Sequence, residues 1–218
     1  VTDQTRRSYD LVADRYAEEL GDELRHKPLD RALLDAFAEF VQGGTVADIG
    51  CGPGQVAAHL ATRGLQVVGL DLSTSMCDAV RRRTSLPACA ADMTALPVRA
   101  EGLAGLVCLY ATIHLDDGRR AVAYREFARV LRPGAPALLS FHVSDADFPA
   151  GGVKTLDTWW DHDVALDFRF LDPDTEISAL RTAGFALVAR LDRGPHAGVE
   201  HPSERCSLLL RRTAIGQP

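Results

Sequence analysis

The 218-residue sequence contains no apolar run near the ~18 residues that a membrane-spanning helix needs. Its polar opening, VTDQTRRSYD, has no hydrophobic segment of the kind a secretory signal carries, so the expectation is a cytoplasmic protein with no membrane partner. Positive charge is also short: 24 Lys and Arg stand against 30 Asp and Glu, a formal net charge of −6. Nucleic-acid binders use a basic face to release counterions from phosphates, so no nucleic-acid partner is expected. The cluster Arg81-Arg82-Arg83 reads instead as the solvated side of a helix. The five cysteines (Cys51, Cys77, Cys89, Cys108, Cys206) form no CxxC pair and have no histidine at metal-ligand spacing. They read as small buried hydrophobes in a reducing compartment, and no metal is expected. Internal repeats and low-complexity segments are absent as well.

What is present is a chain with 46% hydrophobic and 25% charged residues, enough to bury one sizeable core. Short apolar runs alternate with amphipathic stretches, the pattern of a parallel sheet covered by helices. The runs at 45–49, 65–70, 105–110 and 135–141 predict strands buried on both faces. Between them, 55–63, 73–83 and 117–131 predict helices, with Ser73 as an N-cap and Gly64 as a stop. Residues 1–42 predict a helical cap of two helices, the second starting near Pro28. A core over 43–143 follows, then an irregular insertion at 144–172. Over 173–218, a helix and two short strands near 186–191 and 207–210 complete a single domain of residues 1–218. Within the insertion, VALDFRF alternates and places Val164, Leu166, Phe168 and Phe170 on one face of a strand.

The stretch VADIGCGPGQVA places Gly50, Gly52 and Gly54 between a buried strand and a helix, a setting in which glycines let a ligand approach the backbone. A purely structural tight turn is the competing reading. The GxGxG spacing departs from the GxGxxG of dinucleotide binders, because Gln55 stands where the third glycine would fall. Asp71, in GLDLS at the end of the next strand, suits the two hydroxyls of a ribose. In AADMTALPV, Asp92 suits an exocyclic amine, and Met93 can pack its sulfur on a base.

Taken in order, VADIGCGPG, VVGLDLS, ADMTALP and LRPGAPALLSF resemble the class I S-adenosylmethionine-dependent methyltransferases, near the small-molecule branch that includes the ubiquinone and menaquinone enzymes. The resemblance covers roughly residues 9–142. It implies a Rossmann-like α/β fold, a mostly parallel seven-stranded sheet with helices on both faces, and S-adenosyl-L-methionine as cofactor. It further implies that Gly50, Gly52 and Gly54 line the methionine portion, with Asp48 at its amino group. Asp71 would hold the ribose, Leu72 and Met76 would flank adenine, and Asp92 and Met93 would meet its amine and ring. Leu109 to Ala111 would lie under the sulfonium, and Tyr9 and Tyr16 would close over the methionine end. The sequence departs from the family pattern at Ala135, where a second glycine is usual.

Methyl transfer from a sulfonium is an in-line displacement, so the protein contributes mainly orientation and the exclusion of water. A base matters only for an acceptor that still carries its proton. His114, in YATIHLDD, is the first candidate base, and His142, ending the fifth strand, is the second. His162, His196 and His201 read as exposed polar residues. Trp159, Trp160, Phe168 and Phe170 are candidates for walling an apolar acceptor pocket. The expected partner is a small, partly apolar methyl acceptor, handled by a monomer or homodimer. A same-fold protein that uses the cofactor for a non-methylating reaction such as cyclisation is the alternative, and a nicotinamide oxidoreductase is a weaker one.

Overall fold

The computed structural model describes residues 2–214; Val1 and residues 215–218, at the two ends of the expected domain, lie outside the described residues. The apolar runs form β1 (Thr45–Ile49), β2 (Gln66–Asp71), β3 (Ala88–Ala90), β4 (Gly105–Leu109) and β5 (Pro136–Asp145). Two later strands, β8 (Phe185–Arg193) and β9 (Ser203–Arg212), complete a seven-stranded sheet of order β3-β2-β1-β4-β5-β9-β8. The first five strands run parallel, and β9 pairs antiparallel with both β5 and β8. The expected Rossmann-like, mostly parallel seven-stranded sheet is the one observed.

Neighbouring residues on each strand point to opposite faces, so a run apolar throughout feeds two cores. Val46, Val67, Val107 and Leu138 pack against Leu34 and Phe37 of α2 (Pro28–Phe40) and Leu60 of α3 (Gln55–Thr62). Ala47, Leu106 and Leu139 face the other way, onto Tyr124 and Phe127 of α5 (Asp117–Val130) and Leu180 of α6 (Pro173–Thr182). Helix starts follow the capping chemistry. Ser73 Oγ accepts the Met76 amide at 3.1 Å to open α4 (Thr74–Thr84), and Asp116 and Asp172 cap α5 and α6 likewise. Pro28 and Pro173 sit in first turns, where a missing N–H costs nothing.

The structure departs from the sequence expectation in two places. Residues 144–172 are not irregular: β5 runs on to Asp145, and β6 (Val153–Trp159) pairs antiparallel with β7 (His162–Arg169) as a separate hairpin. Trp160 and Asp161 form its two-residue turn, both with positive φ (49° and 65°), as a tight hairpin requires. The alternating face of β7 is as expected, but its partner β6 is largely solvated and carries no apolar alternation to reveal it. The last two strands are also longer than expected, because β8 and β9 extend as polar, partly exposed ribbons beyond their apolar centres.

Helix α1 (Thr2–Leu20) lies across the carboxyl ends of the parallel strands, packed on α4 and β7. Asp10 Oδ1 accepts the Ser73 hydroxyl at 2.6 Å and the Ser75 amide at 3.2 Å, pinning α1 to the start of α4. On the other side, the Ala165 amide donates to Ser8 Oγ at 2.9 Å, and Val12 packs with Val164 and Leu166. The strand order reverses between β1 and β4, and that switch point opens directly beneath α1.

Candidate active site

The cleft at the switch point holds about 1230 Å³ including its open mouth. Its floor is the turn after β1. Gly50, Gly52 and Gly54 all have positive φ (65°, 51° and 91°), a region costly for any residue with a Cβ. They do not share one role. A Cβ on Gly50 would lie 2.2 Å from Ala111 Cβ, so this glycine lets the turn touch the loop after β4. At Gly52 the same direction is open except for Tyr16 Cε1 at 3.8 Å, leaving backbone exposed to the cleft. Gly54 lies outside the cleft lining, a correction to its expected role. It is the left-handed N-cap of α3, and a Cβ there would press on Val80 and Thr84 of α4 at 3.2 Å.

Two carboxylates define the acidic side. Asp71 Oδ2 accepts the Gly52 amide at 2.9 Å, and its Oδ1 accepts the Ser73 amide at 2.8 Å. Burial pushes the Asp71 carboxyl up to about 6 against these stabilising amides. Asp48 Oδ2 accepts the Ala57 amide at 3.0 Å; burial raises it to about 7, with the Asp71 charge adding to the effect. Leu72, Met76, Met93 and Leu109 line the same cleft, as do Tyr9 and Tyr16 of α1. Asp92 lines it too, but both of its oxygens are engaged: Oδ1 accepts the amide and hydroxyl of Thr94, and Oδ2 pairs with Arg119 at 2.9 Å. Despite its partial burial, those partners hold the Asp92 carboxyl below the usual carboxylate range.

The two candidate bases separate. His114 lines the cleft with Nδ1 2.8 Å from the Asp167 carbonyl oxygen and Nε2 2.8 Å from the Tyr9 hydroxyl. A carbonyl can only accept, so Nδ1 carries the proton and the Nε2 lone pair takes the Tyr9 O–H. Burial lowers His114 to about 4. Its basic nitrogen is therefore covered by Tyr9 and does not meet the cleft directly. His142 is not in the cleft at all. It lies behind Tyr110, ring centroids 5.0 Å apart, with Nδ1 2.8 Å from Ser203 Oγ, and burial drives it down to about 3.

The four aromatics expected to wall an acceptor pocket lie outside the lining as well. Trp159 and Trp160 stack at 4.6 Å on the hairpin tip and, with Phe168, pack against Tyr9, Tyr16 and Val12 of α1. Phe170 is buried against Phe148. Among the cysteines, Cys89 on edge strand β3 is exposed, unlike the other four.

Sequence reading missed the polar end of the cleft, where Glu23, Lys27 and Asp30 join Leu24, Val56 and Tyr110, the last of these within the 109–111 stretch expected in the site. Tyr110 takes φ 58° at the tip of β4, an uncommon conformation for a side-chain-bearing residue. Behind it Glu200, between β8 and β9, pairs with Arg193 at 2.7 Å, Lys27 at 3.2 Å and Arg205 at 3.4 Å, while Arg193 also reaches Asp30 at 2.7 Å. Burial would raise the Glu200 carboxyl, but Arg193, the His196 amide, Lys27 and Arg205 hold it well below the usual range. His196, expected to be exposed, is mostly covered, 3.7 Å from Asp30. Lys27-Pro28 at a helix start was the only local signal, since Arg193, Glu200 and Arg205 look like surface charges in sequence. No group of three or more metal-ligating side chains occurs among the described residues.

Comparison with known proteins agrees with this geometry. Residues 46–134, which hold β1 to β4 and α5, match the family described as a methyltransferase domain. The chain is 34% identical over 125 residues to the tRNA (carboxymethyluridine(34)-5-O)-methyltransferase ALKBH8 of Mus musculus, a match covering 57% of this chain and 18% of that one. It is 30% identical over 187 residues to the O-methyltransferase cnsE of Penicillium expansum, covering 82% and 60%. The chain thus spans only a small part of the first relative and under two thirds of the second. The fold is shared with the 1,6-didemethyltoxoflavin-N1-methyltransferase of Burkholderia thailandensis, solved with its substrate and S-adenosylhomocysteine. The TM-score is 0.72 at 20% identity, covering 96% of this chain and 87% of that one.

Proposed function

We propose that this chain is an S-adenosylmethionine-dependent methyltransferase acting on a small, partly apolar metabolite. The observation that carries this is the convergence at one switch point of an open glycine backbone (Gly52), a ribose-suited carboxylate (Asp71) and a buried carboxylate (Asp48) beneath the turn. The match of residues 46–134 to a methyltransferase domain supports it. The residues present fit the cofactor. Gln55 Oε1, on the same wall of the cleft, is buried without a hydrogen-bond partner and suits the methionine amine or a bridging water. When bound, S-adenosylmethionine supplies a methyl group activated by its sulfonium charge.

The protein's own part is to hold and enclose. Asp71 accepts from the ribose hydroxyls with the lone pairs that Gly52 and Ser73 leave unused, and Leu72, Met76 and Met93 sandwich the base. Asp48 balances the positive methionine end. Asp92, tied to Arg119 and Thr94, meets the adenine amine with its remaining lone pairs. Tyr9, Tyr16 and the rest of α1 cover the cleft and keep water from the reacting atoms. The acceptor takes the rest of the cleft, bounded by Tyr9 and His114 on one side and by Leu24, Val56, Lys27 and Asp30 on the other.

The net charge of −6 and the fold shared with the 1,6-didemethyltoxoflavin-N1-methyltransferase support a metabolite, and the tRNA methyltransferase relative makes a nucleic acid the competing reading. Calorimetric titration with S-adenosylmethionine and S-adenosylhomocysteine tests the reading: saturable binding tighter than millimolar, about −4 kcal/mol, is expected. Absence of binding up to that concentration would sink it.

A further inference from the structure

We infer that Tyr9 is the group that takes the acceptor's proton, and that His114 is a positioning and relay residue behind it. The inference rests on the methyltransferase reading and narrows its substrate class to acceptors whose reacting atom carries both a proton and a free electron pair, such as a phenol or alcohol.

Hydrogen-bond direction sets the roles of the two side chains. The Asp167 carbonyl at 2.8 Å fixes the His114 proton on Nδ1. Nε2 is then a bare acceptor, and the Tyr9 hydroxyl 2.8 Å away has its proton turned toward it. The Tyr9 oxygen therefore presents lone pairs, not a proton, to any other neighbour. Tyr9 and His114 both line the cleft, and Tyr9 lies within electrostatic reach of Asp71. The pair is held firmly. The Tyr9 ring meets Tyr16, Trp159 and His114 edge-on, and Phe168 abuts the imidazole at 4.9 Å. The hairpin aromatics thereby orient Tyr9 and His114 from outside the cleft.

The step balances. As the acceptor atom bonds the methyl group with its electron pair, its proton passes to the Tyr9 oxygen, and the Tyr9 proton passes to His114 Nε2. The sulfonium loses its positive charge and the imidazole gains one, so the net charge of the enclosed site is unchanged. Charge conservation makes the weakly basic imidazole sufficient. Burial lowers the His114 pKa to about 4, and a sulfonium nearby lowers it further, but transfer removes the sulfonium charge at the moment the imidazole needs to accept a proton. The other charged groups near the ring, Asp167 and Arg169, are both on β7 and pull in opposite directions.

Nuclear magnetic resonance of protein labelled with ¹⁵N-histidine tests this without any acceptor, the His114 signals being assigned by their loss in His114→Gln. The Nδ1–H tautomer is expected, with the Nε2 signal displaced in Tyr9→Phe and the other six histidines unmoved. The imidazole should titrate at lower pH with S-adenosylmethionine bound than with the uncharged S-adenosylhomocysteine, by roughly half a pH unit or more for a charge within reach. A hydrogen bond of purely structural purpose, remote from the sulfonium, gives identical titrations. That result, or an Nε2–H tautomer, would overturn the relay while leaving the methyltransferase reading intact. Failure of both ligands to bind would overturn the two together.

Discussion

The Asp71 carboxylate accepts the Gly52 backbone amide at 2.9 Å, joining the end of β2 to the glycine turn 19 residues earlier. The same carboxylate accepts the Ser73 amide on its other oxygen. One side chain thus sets the shape of the turn and offers its remaining lone pairs to the cleft. Asp71→Asn replaces one acceptor oxygen by an NH₂ that must face an amide donor. Charge-assisted hydrogen bonds contribute about 1.5–3 kcal/mol, so affinity for S-adenosylhomocysteine should fall roughly 10- to 100-fold by calorimetry.

The wild-type affinity should also depend on pH. Burial raises Asp71 to about 6, and a ribose hydroxyl needs the ionised form as its acceptor. Binding should be flat well above that value and weaken by at most about tenfold per pH unit below it. Asp71→Asn should flatten the profile; an unchanged profile would remove Asp71 from the ribose.

Asp48 gives a stability test with a definite sign. Its carboxyl, raised by burial to about 7, holds its proton in the folded state over a range where the unfolded chain has lost it. The folded state binds more protons there, so this group's contribution to stability falls as pH rises from about 4 toward 7. Asp48→Asn, whose amide oxygen can still accept from Ala57, should raise the melting temperature of the ligand-free protein at pH 8 and change it little at pH 4. The gain is at most on the order of 4 kcal/mol. Cofactor stabilisation of the same variant should be reduced, because the positive methionine end has lost its partner.

The glycines should separate by role. Gly50→Ala meets Ala111 and a positive φ together, and should lose about 2–4 kcal/mol of stability in chemical denaturation. Gly52→Ala carries only the backbone strain of about 1–2 kcal/mol, yet should lose most cofactor affinity, because its methyl projects into the cleft. Equal stability losses at the two positions would contradict this division.

The network around Glu200 should matter for folding as well as for the site. Glu200→Ala leaves Arg193, Lys27 and Arg205 buried without their shared partner, and breaking a buried pair costs about 3–5 kcal/mol. Hydrogen exchange should show the β8–β9 connection and the start of α2 loosening together. Loosening of one without the other would mean that Glu200 does not couple them.

The sheet, and the glycine turn with its facing carboxylate, follow from short-range sequence pattern. Short continuous apolar runs closed by turn residues suit strands buried on both faces, and Gly50, Gly52 and Asp71 sit at strand ends where backbone geometry is set within a few residues of their own motif. Ser73 as a cap and Gly64 as a stop were legible for the same reason. Other features depend on partners distant in the chain. Gly54 faces α4 rather than the cleft, because the path of α3 is set by packing. His142 sits behind Tyr110, and the tryptophans pack on α1, because residue type alone does not say which side of a wall a ring occupies. Lys27, Asp30, Arg193 and Glu200 each resemble surface charges until the fold buries them side by side, and buried ions persist only where such pairing compensates their desolvation. His114 was legible as a residue of the site, but its covered lone pair became visible only when α1 brought Tyr9 across 105 residues to meet it.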